Sequence, residues 1–63
     1  TGMSFVEYLT DTRMKEAMRL LKETNEKIYV VAQKVGYLES GYFSHVFKKK
    51  YGMSPIQCRR QGQ

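Results

Sequence analysis

Cysteine is nearly absent, with Cys58 the only one in 63 residues, so no internal disulfide can brace a chain long enough for only one small core. A single thiol fits a reducing compartment. Histidine is equally scarce, and His45 with one distant cysteine makes neither a metal site nor a nucleophile–base pair. No carboxylate pair, phosphate-cradling glycine loop or ligand cluster appears, so we expect no enzyme, no metal and no cofactor. There is no signal peptide and no apolar run long enough to cross a bilayer, which predicts a soluble, cytoplasmic segment. Acidic residues are outnumbered, six against eleven Lys and Arg, and the net charge of +5 suits a polyanionic partner. The Phe and Tyr residues fall at helical core spacing, without the interleaving that makes stacking platforms for single strands.

What is present centres on Ile28 to Phe47. At helical spacing Ile28, Val31, Ala32 and Val35 share one side of a short helix, and Gly36 follows where that helix would stop. A second helix starts near Ser40, with Phe43, Val46, Phe47 and Tyr51 inward. Two amphipathic helices meeting at a sharp glycine turn form a helix-turn-helix pattern, in which Ala32 permits close approach. The outward face of the second helix carries Ser40, Gly41, Ser44, His45, Lys48 and Lys49. Small and hydrogen-bonding residues flanked by cations suit a DNA major groove, and the competing reading is a solvated polar face. Lys50 lies nearer the Phe43/Phe47 side and is expected to snorkel, while Tyr37 is expected in the core.

Before this unit, Met3-Ser4-Phe5-Val6-Glu7-Tyr8 opens a long helix, with Ser4 and Glu7 as a capping box and Met3 and Tyr8 as its staple. The helix should run from Ser4 to Glu23, with an Asp11–Lys15 pair, before Asn25 caps the next one. Its apolar stripe changes direction. Met14, Ala17, Met18 and Leu21 are placed to pack on the helix-turn-helix, whereas Phe5, Tyr8 and Leu9 point elsewhere, toward a core outside these residues; the competing reading is that these first two turns curl onto the same core or fray. A short repeat supports that reading: Gly2-Met3-Ser4-Phe5-Val6-Glu7-Tyr8 recurs fifty positions on as Gly52-Met53-Ser54-Pro55-Ile56-Gln57-Cys58. The second copy follows the outward-facing helix, so by parallel the first copy follows an earlier helix of the same kind. Expected helices are Ser4–Glu23, Glu26–Val35, Ser40–Tyr51 and Ser54–Arg60, with Gln61 to Gln63 disordered.

Three motifs together then carry a resemblance: I-x-x-x-A-x-x-V-G-Y at Ile28 to Tyr37, G-Y-F-S-x-x-F-K-K at Gly41 to Lys49, and G-x-S-P-x-x-x-R at Gly52 to Arg59. With Arg13, Ala17 and Leu20-Leu21, the chain resembles the C-terminal half of the DNA-binding domain of AraC/XylS-family bacterial transcription regulators. The resemblance implies an all-α, homeodomain-like bundle of three or four helices after a long linker helix. Residues 1–24 would be the linker and the tail of a preceding helix-turn-helix unit, 25–60 the second unit, and 61–63 a tail. It implies base-edge contacts from Ser40, Gly41, Ser44 and His45 with Tyr42 beside them, and phosphate contacts from Lys27, Ile28, Lys48 and Lys49. Implied partners are double-stranded DNA, the preceding unit, and a sensory or effector domain. Cys58 stands where the family often has Tyr, suggesting a semi-buried packing thiol. The alternative function is a helical interaction module touching RNA polymerase or a neighbouring regulator domain, for which Phe5, Tyr8 and Leu9 would supply the apolar patch.

Overall fold

The first and last helices begin where side-chain chemistry satisfies the unpaired backbone groups of their N-termini. Ser4 Oγ accepts from the Glu7 N–H at 3.1 Å while Glu7 Oε1 accepts from the Ser4 N–H at 3.2 Å, and α1 runs Phe5–Glu23 from that capping box. The structure, a computed structural model describing residues 2–61, then has α2 at Ile28–Lys34, α3 at Ser40–Tyr51 and α4 at Pro55–Gln61. There is no strand among the described residues.

Helix α2 is shorter than expected, and Asn25 does not cap it. Thr24 takes over the corner, its Oγ donating to the Leu20 carbonyl at 2.7 Å and accepting from the Glu26 N–H at 3.3 Å. Those bonds keep the chain extended until Lys27, which is the N-cap without any side-chain bond. Gly36 ends the turn at φ +99, and Gly52 ends α3 at φ +77, a left-handed conformation that suits residues without a Cβ. Gln61 closes α4 as a helical residue, contrary to the expected tail; Gly62 and Gln63 lie outside the described residues.

Helix α1 packs on both α2 and α4, and α3 packs on α2 and α4. Met14, Ala17, Leu20, Leu21, Val31, Ala32, Phe43 and Phe47 form the centre, with Phe43 and Phe47 fully buried. Leu20 was not part of the expected stripe of α1. It is buried because two helices, not one, cover that end of α1. The opposite end behaves differently: Phe5, Val6 and Tyr8 are exposed and Leu9 is half-buried. Met3 and Tyr8, the expected staple, are also mostly exposed. Tyr37 is buried, and Cys58, expected half-buried, is buried, with Sγ 3.1 Å from Met18 Sδ.

The repeat is structural as well as sequential. Ser54 and Gln57 form the same reciprocal pair as Ser4 and Glu7, at 3.2 and 2.9 Å, and Gly2 and Gly52 both have positive φ, 86 and 77.

Candidate nucleic-acid interface

Burial of Phe43 and Phe47 determines which side of α3 faces out. At about 100° per residue, Gly41, His45 and Lys49 lie on the arc opposite those rings, with Tyr42 on one flank and Lys48 and Ser44 on the other. Gly41, Tyr42, His45, Lys48 and Lys49 are exposed, as is Ser40 at the helix start; Ser44 is half-buried. Tyr42 leans its ring 5.9 Å from that of Tyr37, which continues through Phe43 into the core. The structure thus brings Ser40, Gly41, Tyr42, Ser44 and His45 onto one helix with Lys48 and Lys49. Lys27 and Ile28 stand at the start of α2, Lys27 exposed and Ile28 half-buried.

The lysines differ in what holds them. Lys27, Lys48 and Lys49 enter no ion pair among the described residues. Lys50, itself exposed, reaches back to Asp11 Oδ1 at 2.5 Å and lies 5.5 Å from the Tyr51 ring. Asp11 also pairs with Lys15 at 3.1 Å. Hydrogen bonds from Lys50 and Lys15 hold the Asp11 carboxyl below its ordinary value, and the bond to Asp11 raises the Lys50 ammonium. On the solvent face of α1, Arg19 bonds Glu16 and Glu23, which lowers Glu16 and raises Arg19. Those carboxylates are engaged away from α3. Between the first turns of α1 and the Tyr42, His45 and Lys49 flank runs an open groove of about 580 Å³.

Two arginines at motif positions, Arg13 and Arg59, brace the turn before α3 and the α1–α2 corner. Arg13 lies under the turn, its guanidinium 5.6 Å from the Tyr37 ring centroid and beside Gly36. Arg59 donates from Nε to the Leu21 carbonyl at 3.0 Å and from Nη1 to the Glu26 carbonyl at 2.6 Å. Leu21 stands in the last turn of α1, where carbonyls lack helical partners and a cation is favoured. A sequence signal existed, since Arg59 follows buried Pro55 by one helical turn and so falls on the inward side of α4.

Comparison with known proteins agrees with this architecture. A family model described as a helix-turn-helix domain matches residues 1–61. The chain is 44% identical over 59 residues to the helix-turn-helix-type transcriptional regulator YisR of Bacillus subtilis, covering 94% of this chain and 21% of that protein. It is 37% identical over 62 residues to the urease operon transcriptional activator of Escherichia coli, covering 98% and 21% respectively. Among solved structures, the C-terminal domain of AraT, a response regulator from Geobacillus stearothermophilus, superposes with a TM-score of 0.93 at 47% identity, over 95% of this chain and 50% of that one. The C-terminal domain of the two-component response regulator yesN from Fusobacterium nucleatum gives 0.91 at 41%, over 92% and 56%. The chain therefore spans about a fifth of those curated relatives and about half of each solved domain, and it belongs to the AraC-type helix-turn-helix family of transcriptional regulators.

Proposed function

We propose that this chain binds double-stranded DNA sequence-specifically as one reading unit of a longer bacterial transcription regulator, with α3 in the major groove. The observation that carries the reading is the arc opposite Phe43 and Phe47, where exposed Gly41 and His45 sit beside exposed Lys48 and Lys49, which enter no ion pair among the described residues. Base edges would be met by Ser40, Gly41, Tyr42, Ser44 and His45. Phosphates would be met by Lys48 and Lys49 and, at the start of α2, by Lys27 and Ile28. The half-buried position of Ser44 and the outermost position of His45 favour His45 as the main reader.

A preceding unit is the second part of the proposal. Exposed Phe5, Val6 and Tyr8, at 74%, 70% and 59%, together with the duplicated Gly-Met-Ser cap geometry, support another helix-turn-helix packed on the first half of α1. The same exposed side chains also favour a protein-contact reading, in which RNA polymerase or a neighbouring regulator domain covers them.

Two substitutions test the DNA reading. Lys48→Ala should weaken binding to all duplexes alike and reduce the salt slope by about one unit, because one phosphate contact is gone. His45→Ala should instead change preference among sites, by about 1 to 3 kcal/mol at one base pair. Uniform loss in both variants across a panel of duplexes would remove His45 as a reader, and binding insensitive to salt would favour the protein-contact reading.

A further inference from the structure

Residue Glu26 is held by each of its polar groups, although it is only half-buried and lies outside any helix. Its N–H donates to Thr24 Oγ at 3.3 Å, its carboxylate pairs with Lys34 at 2.6 Å, and its carbonyl accepts from Arg59 at 2.6 Å. Of the three tethers, only the last comes from a distant part of the chain, 33 residues on. Arg59 simultaneously holds the Leu21 carbonyl, so one planar guanidinium spans the end of α1 and the residue before Lys27. Its Nη2 is enclosed without a partner among the described residues. Seating a cation there has a desolvation cost that the two carbonyl bonds offset; the end of α1 accounts for the bond to Leu21, whereas the bond to Glu26 reaches a carbonyl outside any helix.

We infer that Arg59 is a positioning residue for DNA binding: by clamping the Leu21 and Glu26 carbonyls it sets where Lys27 meets a phosphate. This rests on the DNA reading proposed above. Arg59 touches no nucleic acid itself, since both bonded nitrogens point to backbone carbonyls inside the α1–α2 corner. Lys27 enters no ion pair among the described residues and has no side-chain capping bond. Where its side chain begins is therefore set by the backbone beneath it. A corner fixed before DNA arrives does not have to be ordered on binding, so the phosphate contact forms without that entropic cost.

The experiment is a salt titration of duplex binding by the chain and by Lys27→Ala, Arg59→Met, Arg59→Lys and the Lys27→Ala/Arg59→Met double variant, with circular dichroism establishing that each is folded under binding conditions. Each phosphate contact contributes about 0.9 to the slope of log K against log salt. Arg59→Met should lose about as much slope as Lys27→Ala, the double variant no more than either, and base preference should be unchanged. Arg59→Lys, which keeps a cation able to donate to the carbonyls, should retain most of the slope. If Arg59→Met does not stay folded, Arg59→Gln replaces it under the same criteria. A parental slope in the neutral Arg59 variant, or losses that add in the double variant as they would if Arg59 met its own phosphate, overturns the inference. So does a Lys27→Ala slope equal to the parent's. A parent chain whose duplex binding ignores salt overturns the DNA reading, and this inference with it.

Discussion

Gly41 has no packing reason to be glycine. A Cβ added there would meet only Glu39 Oε1, at 3.8 Å, an ordinary contact, and its backbone is not in the left-handed region. Glycine within a helix destabilises it by about 0.5 to 1 kcal/mol relative to alanine. The residue lies on the arc opposite the buried Phe43 and Phe47, so the absence of a side chain lets the α3 backbone come closest to whatever α3 meets. Gly41→Ala should therefore raise the melting midpoint while lowering the ratio of preferred to random duplex affinity. A stabilised variant with an unchanged ratio would show that position 41 does not face a base edge.

At the scale of elements, what matters is how α1 holds α3. Arg13 supports the turn at Gly36 and Tyr37, and Asp11 holds Lys50 near the other end of α3, so one stretch of α1 grips both ends. The Asp11 pair is solvent-exposed and of a kind that contributes modestly. Its pH dependence has a definite sign. Pairing lowers the folded carboxyl below its unfolded value, so the contribution is complete above the ordinary carboxylate range and is lost as pH falls through the lowered value. Asp11→Asn should melt below the parent at about pH 6, and the gap should close as pH falls toward about 2. A gap that persists undiminished in acid would assign the effect to packing, not charge.

For the whole molecule, the two halves of α1 differ in their surroundings. Met14 to Leu21 lie under α2 and α4, while Phe5, Val6 and Tyr8 lie open to solvent. Amide protons from Phe5 to Leu9 should accordingly exchange faster than those from Met14 to Leu21. If a second helix-turn-helix completes the reader, joining it should slow exchange in that first stretch. Specific affinity should rise by a factor of about 10² to 10⁴, since tethering makes the second groove contact intramolecular. Equal protection along α1, with nanomolar specific binding by these residues alone, would mean that one unit suffices.

Local patterns determined most of this architecture. The Ser4/Glu7 and Ser54/Gln57 boxes, the turn at Gly36, the stop at Gly52 and the inward Phe43 and Phe47 were legible because caps and helical periodicity act within a few residues. So was the outward face of α3, which is the complement of that periodicity. What only the tertiary structure decided involves partners far apart in sequence. Asn25 lost its expected role because Thr24 closed the corner and Arg59, from α4, took the Glu26 carbonyl. Leu20 was buried by the second helix laid across α1, and Lys50 was drawn from the lysine run by an aspartate 39 residues away. Periodicity assigns each residue a side of its own helix, but which other helix arrives on that side, and which carbonyl its arginine finds there, is settled only when the elements pack.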